Sequence, residues 1–416
     1  MQTLVNRIIF FILGVIGGMP LVLTASTLSL RLIDMGINKS SIGLFGSIGV
    51  LYSVKFLYAP LIDCVKIPVL HRFFERYVCW MFLAIFAMFV GCLMSSIVDG
   101  RHDLIIFILG SLLITFASTI YDIAVDGFRI EKNKPSDLGL ISAIYVYGYR
   151  LGMLISGGFT LYLAHYFEWQ ITYIIVGLLF VIFFGIAVFL GFCSKLIAVN
   201  FSHKHAGILT KKSGFKEIFL DPFLDILSMK YAKTFLLMVA IFKITDAYVG
   251  GMMNPFFVEL GFSKLEIAKI VKGFGLIATL ISLGIGGYCI SKFSIAKMVI
   301  ASMILQIIGN QMGIVQNFAG HNINVLMLTI FVENLCSGIS TITLVCLISK
   351  ACNVKFSGTQ YALMTSFASF SRTVIGSSSG FVASHLGWNW FFIFAGALEI
   401  PCILLAYFLI KKGAIK

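Results

Sequence analysis

The stretch YDIAVDGFRIEKNKPSDLGLISAIYVYGYRLGMLISGG, residues 121–158, places Asp122, Asp126 and Arg150 inside or at the edge of long apolar runs. Each run approaches the length of about 20 residues that an α-helix needs to cross a bilayer. An ionisable side chain is costly at that depth, so it marks a candidate functional site. The rest of the chain is expected to be the scaffold that holds such charges.

The composition excludes an ordinary soluble protein. Of the 416 residues, 59% are hydrophobic and 12% are charged, and the mean hydropathy is +1.00. A soluble domain cannot bury that much apolar surface, so lipid must surround much of the chain. The net charge of +13 lies in short loops between apolar runs, unlike the clustered charge of nucleic-acid-binding proteins. We therefore expect no nucleic-acid partner.

Twelve apolar stretches have the length of membrane spans, and they predict an all-α membrane protein. Their approximate limits are 8–30, 42–62, 77–98, 104–128, 138–164, 171–194, 232–257, 266–290, 296–316, 323–349, 358–384 and 390–410. Alternate connections carry 21 Lys and Arg residues on one side and at most six on the other. By the positive-inside rule, both termini are expected to face the cytoplasm.

The longest polar connection divides the spans into two sets of six. It covers residues 196–231, between predicted halves at 1–195 and 232–416. The halves are similar in sequence. MGINKSSIG at 35–43 resembles LGFSKLEIA at 260–268, and Arg150 with Gly158 corresponds to Arg372 with Gly380. Two six-helix halves related by duplication resemble the plan of the major facilitator superfamily, whose substrate sites lie near the midplane between the halves.

Several ionisable residues fall about 15 to 21 Å along their predicted helices, close to the membrane midplane. The cations Lys55, Arg150, Lys243 and Arg372 are candidates for binding an anionic or polar substrate, and Asp122 is expected to lie in the same cavity. Arginine is suited to a bidentate grip on carboxylate or phosphate. The alternative is that these cations pair with carboxylates inside the protein, Lys243 with Asp246 above all.

The acidic residues suggest two further roles. Asp246 and Glu333 are candidates for carrying a coupling proton, because burial makes a carboxylate easier to protonate; the alternative is an ordinary ion pair. Asp126 and Arg129 lie near one end of the fourth span and are expected to form a gating network together with Asp63, which follows the second span. We expect only a structural role for Glu399.

These residues lie in motifs that resemble the AmpG family of muropeptide permeases. The most specific blocks are GYRLGMLISGG at 148–158 and LGFSKLEIAKIVKGFG at 260–275, and further matches include GGMP at 17–20 and the pairs Asp122 with Asp126 and Lys243 with Asp246. The resemblance covers nearly the whole chain. One departure is Tyr121, which stands where the family commonly has Gln, beside Asp122.

The resemblance implies a bacterial inner-membrane symporter that imports GlcNAc-1,6-anhydro-MurNAc peptides with protons, for peptidoglycan recycling. We expect no cofactor besides the coupling proton, no metal, and a monomer in the bilayer. The alternative within transporters is a proton-coupled carrier of another organic anion, such as acetyl-CoA. A membrane enzyme is not expected, because the sequence has no H-E-x-x-H or P-loop motif.

Overall fold

The structure is a computed structural model that describes residues 2–37, 48, 50–68, 70–98, 104–194, 196–197, 219–376 and 378–415. Residues 198–218 of the predicted central connection and the first part of the predicted span 42–62 lie outside the described residues. Every regular element in the described ranges is helical. The prediction of an all-α membrane protein is therefore confirmed.

The described residues of the first part of the chain contain ten α-helices. Their bounds are α1 Gln2–Val22, α2 Leu28–Asp34, α3 Val50–Ser53, α4 Ala59–Cys64, α5 Arg76–Ser96, α6 Leu104–Lys132, α7 Leu138–Leu154, α8 Thr160–Tyr166, α9 Trp169–Cys193 and α10 Asp221–Ser228. Short π-helical turns, Leu23–Thr27 and Ile155–Phe159, join α1 to α2 and α7 to α8.

The described residues of the second part contain ten more α-helices. Their bounds are α11 Ala232–Ile241, α12 Ile244–Gly250, α13 Met253–Glu259, α14 Lys264–Ile267, α15 Gly275–Lys292, α16 Ile295–Ala319, α17 Ile323–Ala351, α18 Ser357–Gly376, α19 Ser379–Ala397 and α20 Ile400–Lys411. A π-helical segment, Ala268–Phe274, leads into α15. The predicted seventh span is thus three short helices, and its first break falls at Lys243, whose φ of −118° and ψ of 23° are not helical.

Ten helical stretches of the described chain are long and apolar enough to cross a membrane. The predicted spans 42–62 and 358–384 are not among them. The first of these contains the short helices α3 and α4, and the second corresponds to α18, whose sequence SGTQYALMTSFASFSRTVIG is rich in hydroxyl side chains. The number twelve therefore stays a prediction.

The chain forms two compact units. Unit 1 contains residues 1–134, 144–223 and 352–363, and unit 2 contains residues 135–143, 224–351 and 364–416. In unit 1, α5 packs against α6 and α9, and in unit 2, α16 packs against α17 and α19. These are equivalent helices of the predicted repeat. The boundaries 1–195, 196–231 and 232–416 remain a prediction from the sequence.

Glycines allow α1 and α7 to cross at close range within unit 1. A Cβ atom at Gly14 or Gly18 would collide with the carbonyl oxygen of Tyr145 or Tyr149. On the facing helix, a Cβ at Gly148 or Gly152 would collide with a carbonyl of α1. The two G-x-x-x-G pairs therefore bring the helix backbones into contact, as such motifs do in membranes.

Candidate functional site

The break in the seventh span places Lys243 in a dense polar network of unit 2. Lys243 Nζ forms an ion pair with Asp246 and donates to the carbonyl and hydroxyl oxygens of Ser337 and to Thr341 Oγ1, each at 3.1 Å. Asp246 also accepts hydrogen bonds from Gln306 Nε2 and Ser337 Oγ. The pair considered as the alternative for Lys243 is thus present, and donors surround both carboxylate oxygens of Asp246.

Glu333 has a different environment, although it lies on α17 like Ser337. Its Oε2 accepts a hydrogen bond from Asn334 Nδ2 at 3.1 Å, and Asn334 in turn accepts from Thr279 Oγ1 at 2.7 Å. The ion pairs of the described residues do not include Glu333. Of the two candidate proton carriers, Asp246 has a cationic partner and Glu333 has a neutral amide partner.

A cavity of about 370 Å³ lies beside Arg372 in unit 2, and its lining includes Ala247, Ser369 and Gly376. Arg372 Nη2 donates to Ser369 Oγ at 3.1 Å. No carboxylate of the described part of the chain forms an ion pair with Arg372. A guanidinium has five N–H donors, so Arg372 keeps donors for an anion that enters this cavity.

Arg150 occupies the matching position of the repeat, in α7. Its Nη1 lies 3.9 Å from Met153 Sδ, a weak acceptor. As with Arg372, the ion pairs within the described ranges do not include Arg150 or Lys55. Three of the four candidate cations therefore have no carboxylate partner within 4 Å there, and Lys243 alone has one.

Asp122 lies on α6 in unit 1, with 7% of its surface exposed. Its Oδ1 has no hydrogen-bond partner among the described residues and faces Gly17 of α1. Lys55 is near enough to interact with Asp122 electrostatically, yet it does not form an ion pair with it. A buried carboxylate oxygen without a donor is rare in proteins, which favours a role in binding for this position.

Tyr121 binds α1 and not Asp122. Its side chain is fully buried, and its hydroxyl donates to the carbonyl oxygen of Leu13 in α1 at 3.0 Å. The residue that departs from the family pattern therefore joins two helices of unit 1. Any effect on substrate would be indirect, through the position of α1.

The predicted gating residues form two groups within unit 1. Arg129 Nη2 pairs with Asp126 Oδ1 at 2.8 Å. The Arg129 side chain is 0% exposed, and its guanidinium carbon lies over the rings of Tyr145, at 5.4 Å, and Tyr361, at 5.2 Å. Aromatic faces stabilise a buried cation of this kind.

Asp63 holds the start of α18. Its Oδ2 accepts the backbone N–H of Thr359 at 2.7 Å, and its Oδ1 accepts the hydroxyl of Tyr77 at 2.6 Å. The same tyrosine hydroxyl is 2.9 Å from Ser357 Oγ. A carboxylate is stabilised at a helix N-terminus because the first N–H groups have no partner inside the helix.

Further charges surround this end of unit 1. Arg76 contacts the carbonyl oxygen of Asp63 and pairs with Glu131 Oε2 at 3.2 Å, and Lys132 pairs with Glu75. Burial raises the pKa of the Glu75 carboxyl, and Lys132 opposes that effect. The sequence alone did not identify Glu75 and Glu131 as partners of these cations.

Sequence reasoning also missed the uncharged members of the site. Gln306, Ser337 and Thr341 bind the Lys243–Asp246 pair, and Thr359 binds Asp63. A glutamine in an apolar span was an available signal for Gln306. No comparable signal marked the others, because hydroxyl residues are common in membrane helices. The absence of a metal or cofactor stays a prediction.

Known proteins resemble this chain over nearly its whole length. A profile described as Major Facilitator Superfamily matches residues 8–281 and 235–415. "Putative transporter AmpG 4" of Rickettsia conorii is 34% identical over 407 residues, which cover 97% of this chain and 96% of that one. "Anhydromuropeptide permease" of Escherichia coli K12 is 28% identical over 399 residues, covering 95% and 78%.

Among solved structures, the Escherichia coli fucose:proton symporter FucP matches with a TM-score of 0.66 at 13% identity, over 98% of both chains. At that identity the likeness shows the fold alone. It agrees with the fold predicted from the repeated halves.

Proposed function

The chain belongs to the AmpG family of the major facilitator superfamily and is a multi-pass membrane transporter, not an enzyme, and from this premise we propose that it imports anhydromuropeptides by proton symport. The substrates would be GlcNAc-1,6-anhydro-MurNAc peptides, moved from periplasm to cytoplasm across the bacterial inner membrane for peptidoglycan recycling. The name of the Escherichia coli relative supports this substrate class.

The observation that carries the proposal is the environment of Arg372. Its guanidinium borders a cavity of about 370 Å³ and has no carboxylate partner within the described chain. Small-molecule sites commonly have volumes of about 300 to 1,000 Å³. A muropeptide carries several carboxylates, and a guanidinium binds a carboxylate through two parallel hydrogen bonds. Arg372 would therefore hold one carboxylate of the substrate.

Arg150, Lys55 and Asp122 are proposed as further substrate ligands. Arg150 and Lys55 have no ion pair in the described ranges, and Asp122 has an oxygen without a donor there. Sugar hydroxyls and peptide N–H groups would satisfy that oxygen. Lys243 would act differently, because Asp246 already neutralises it; a substrate anion would have to compete with Asp246 for its charge.

Glu333 and Asp246 are proposed as the carriers of the coupling proton. A carboxyl with one neutral partner, as in Glu333 with Asn334, takes up a proton in a membrane interior more readily than one paired with a cation. Asp246 would be protonated only when Lys243 leaves it. Asp63, Asp126 and Arg129 would gate the cytoplasmic end, with both termini in the cytoplasm.

The test is uptake of labelled anhydromuropeptide into proteoliposomes, with and without an inward proton gradient. We expect gradient-dependent accumulation that unlabelled muropeptide competes away and that acetyl-CoA does not. Replacement of Arg372 by Ala should raise the KM about tenfold or more, the usual loss for a buried charged hydrogen bond. Uptake without any gradient dependence would refute proton symport, and competition by CoA esters alone would favour the other carrier.

A further inference from the structure

Glu399 is a buried carboxyl that has no part in the transport scheme above. It lies between α19 and α20 in unit 2 and is 0% exposed. Its Oε2 accepts a hydrogen bond from Thr245 Oγ1 at 3.0 Å, and Oε1 has no hydrogen-bond partner among the described residues. A carboxyl with one satisfied and one unsatisfied oxygen is unusual for a position that only stabilises the fold.

Both partners lie at breaks in membrane helices. The backbone N–H of Glu399 bonds to the carbonyl of Gly396, three residues earlier, and Pro401 follows two residues later. Thr245 comes two residues after the break at Lys243. The Thr245–Glu399 bond therefore joins two discontinuities that are 154 residues apart in sequence. Discontinuous helices are where transporters expose polar groups to ions.

No cation is paired with Glu399 in the described part of the chain. The helices packed against α19 and α20 are α11, α12 and α16, and their ionisable side chains are Lys233, Asp246, Tyr248 and Lys297. Lys233 and Lys297 lie in the first turns of α11 and α16. On α19 and α20 themselves the ionisable groups are His385, Cys402, Tyr407 and Lys411.

The charged groups that act on Glu399 are Asp246 and Lys243, which interact with it electrostatically. Those two neutralise each other, so neither compensates a charge on Glu399. An ionised carboxylate that is buried without a cationic partner binds a proton instead of keeping its charge. The proton would sit on Oε1, because Thr245 already donates to Oε2.

We propose that Glu399 is a proton-binding carboxyl whose occupancy is linked to the Lys243–Asp246 ion pair through Thr245, which makes it a further proton-coupling residue of the transporter. The inference rests on the proposed proton symport. Release of the proton leaves a negative charge on Glu399, next to Thr245, which directly precedes Asp246 in the chain, and this charge strengthens the hold on Lys243. Uptake of the proton weakens that hold and frees Lys243 to attract a substrate anion.

The first experiment compares wild type with Glu399→Gln, whose amide has the shape of the protonated acid. Measured in proteoliposomes, the variant should keep substrate counterflow within about twofold and lose about tenfold of its gradient-driven accumulation, a typical size for a coupling effect. The number of protons moved per substrate should also fall. A wild-type number of protons per substrate in Glu399→Gln would overturn the proposal, because a purely structural hydrogen bond survives in the amide.

The second readout does not depend on transport. Infrared difference spectra of the purified wild-type protein across a pH titration should contain a carboxylic-acid C=O band that is absent from Glu399→Gln. The band should shift in Thr245→Val, which removes the hydroxyl and keeps the side-chain shape. Glu168→Gln, at an exposed carboxyl, is the matched control. It should change neither the carboxylic-acid band nor the number of protons moved per substrate.

The transport assay and the infrared spectra distinguish a failure of the proposed symport from a failure of the Glu399 assignment. If the wild type shows no proton-driven uptake and the band of Glu399 is present, the proposed symport is wrong and the linkage to transport is wrong with it, whereas the proton-binding site stands. If uptake is proton-driven and the band is unchanged in Glu399→Gln, the symport stands and the assignment of Glu399 is wrong.

Discussion

The indole N–H of Trp169 donates a hydrogen bond to Asp34 Oδ2 at 2.8 Å, which joins the first residue of α9 to the last residue of α2. The second half contains the same arrangement, in which Trp388 Nε1 donates to Glu259 Oε2. Asp34 and Glu259 are 225 positions apart, the offset of the repeated motif that follows each of them. Two residues after each acid, Gly36 and Gly261 adopt positive φ angles of 70° and 88°.

The repeated pair should contribute to stability in each half. Replacement of Trp388 by Phe removes the hydrogen bond to Glu259 and keeps most of the ring, so we expect a loss of about 1 kcal/mol. Thermal unfolding in detergent measures it, and Trp169→Phe should behave similarly. Trp390→Phe is the control, because Trp390 is 65% exposed. An equal loss in the control would contradict this expectation.

The glycines of the α1–α7 crossing should not tolerate a methyl group. A Cβ at Gly18 would collide with the carbonyl oxygen of Tyr149, so Gly18→Ala must separate the two helices. We expect a destabilisation of about 1 to 3 kcal/mol, measured as a lower thermal midpoint. Gly376→Ala is the matched control: its Cβ would lie 3.6 Å from the nearest atom, the carbonyl oxygen of Ala247, and the midpoint should hardly change.

Asp63 should be intolerant of an amide. Asn has a single acceptor oxygen, so Asp63→Asn cannot accept from both Tyr77 and Thr359. We expect a loss of about 1 to 3 kcal/mol, the cost of leaving a buried donor without a partner. Tyr77→Phe should cost less, because the carboxylate keeps its bond to Thr359. If Asp63→Asn unfolds at the wild-type temperature, the hold of Asp63 on α18 is not important for stability.

Arg372 should require its guanidinium. Lysine keeps the charge and loses the two parallel donors, so Arg372→Lys should raise the KM for anhydromuropeptide about fivefold to tenfold. The kcat should change much less, because Arg372 is proposed to bind the substrate and not to carry the coupling proton. Arg7→Lys, at an exposed arginine near the N-terminus, should leave both constants unchanged. A wild-type KM in Arg372→Lys would remove Arg372 from the substrate site.

His71 should make part of the protein's stability depend on pH. Burial, Lys66 and Arg76 lower the pKa of His71 below its ordinary value of 6.5, so the folded protein favours the neutral ring. The stability that the neutral His71 ring contributes to the fold is complete above pH 6.5 and is lost as the pH falls through the lowered pKa. His71→Gln should therefore lose less thermal stability than wild type when the pH falls from 7 to about 5. Parallel curves for the two proteins would contradict this.

Local spacing explains which contacts the sequence predicts. Asp126 with Arg129, and Lys243 with Asp246, are three residues apart and share a helix face, and both pairs form. Thr359 lies 296 residues from Asp63, and Thr245 lies 154 residues from Glu399, so nothing in the local pattern identifies these contacts. Glu399 was expected to be merely structural because the last span is usually peripheral, and the break before Pro401 gave no further signal.

The number of spans was harder to predict because hydropathy measures composition and not helix continuity. Residues 50–64 are broken into short helices around Lys55, and α18 is helical although its sequence is polar. Similarly, the G-x-x-x-G spacing of α1 and of α7 is visible in the sequence, but the facing of the two motifs is not. Which helices meet depends on the tertiary fold.

The two halves share a repeated sequence pattern but differ in how closely their helices meet. The crossing of α1 and α7 is closed backbone against backbone, whereas Gly376 leaves room beside Ala247 for the cavity at Arg372. A chain assembled from two first halves would repeat this close crossing and would lack Arg372. A chain assembled from two second halves would lack the crossing of α1 and α7. We therefore expect neither chain to transport substrate, although the two halves share a repeated sequence pattern.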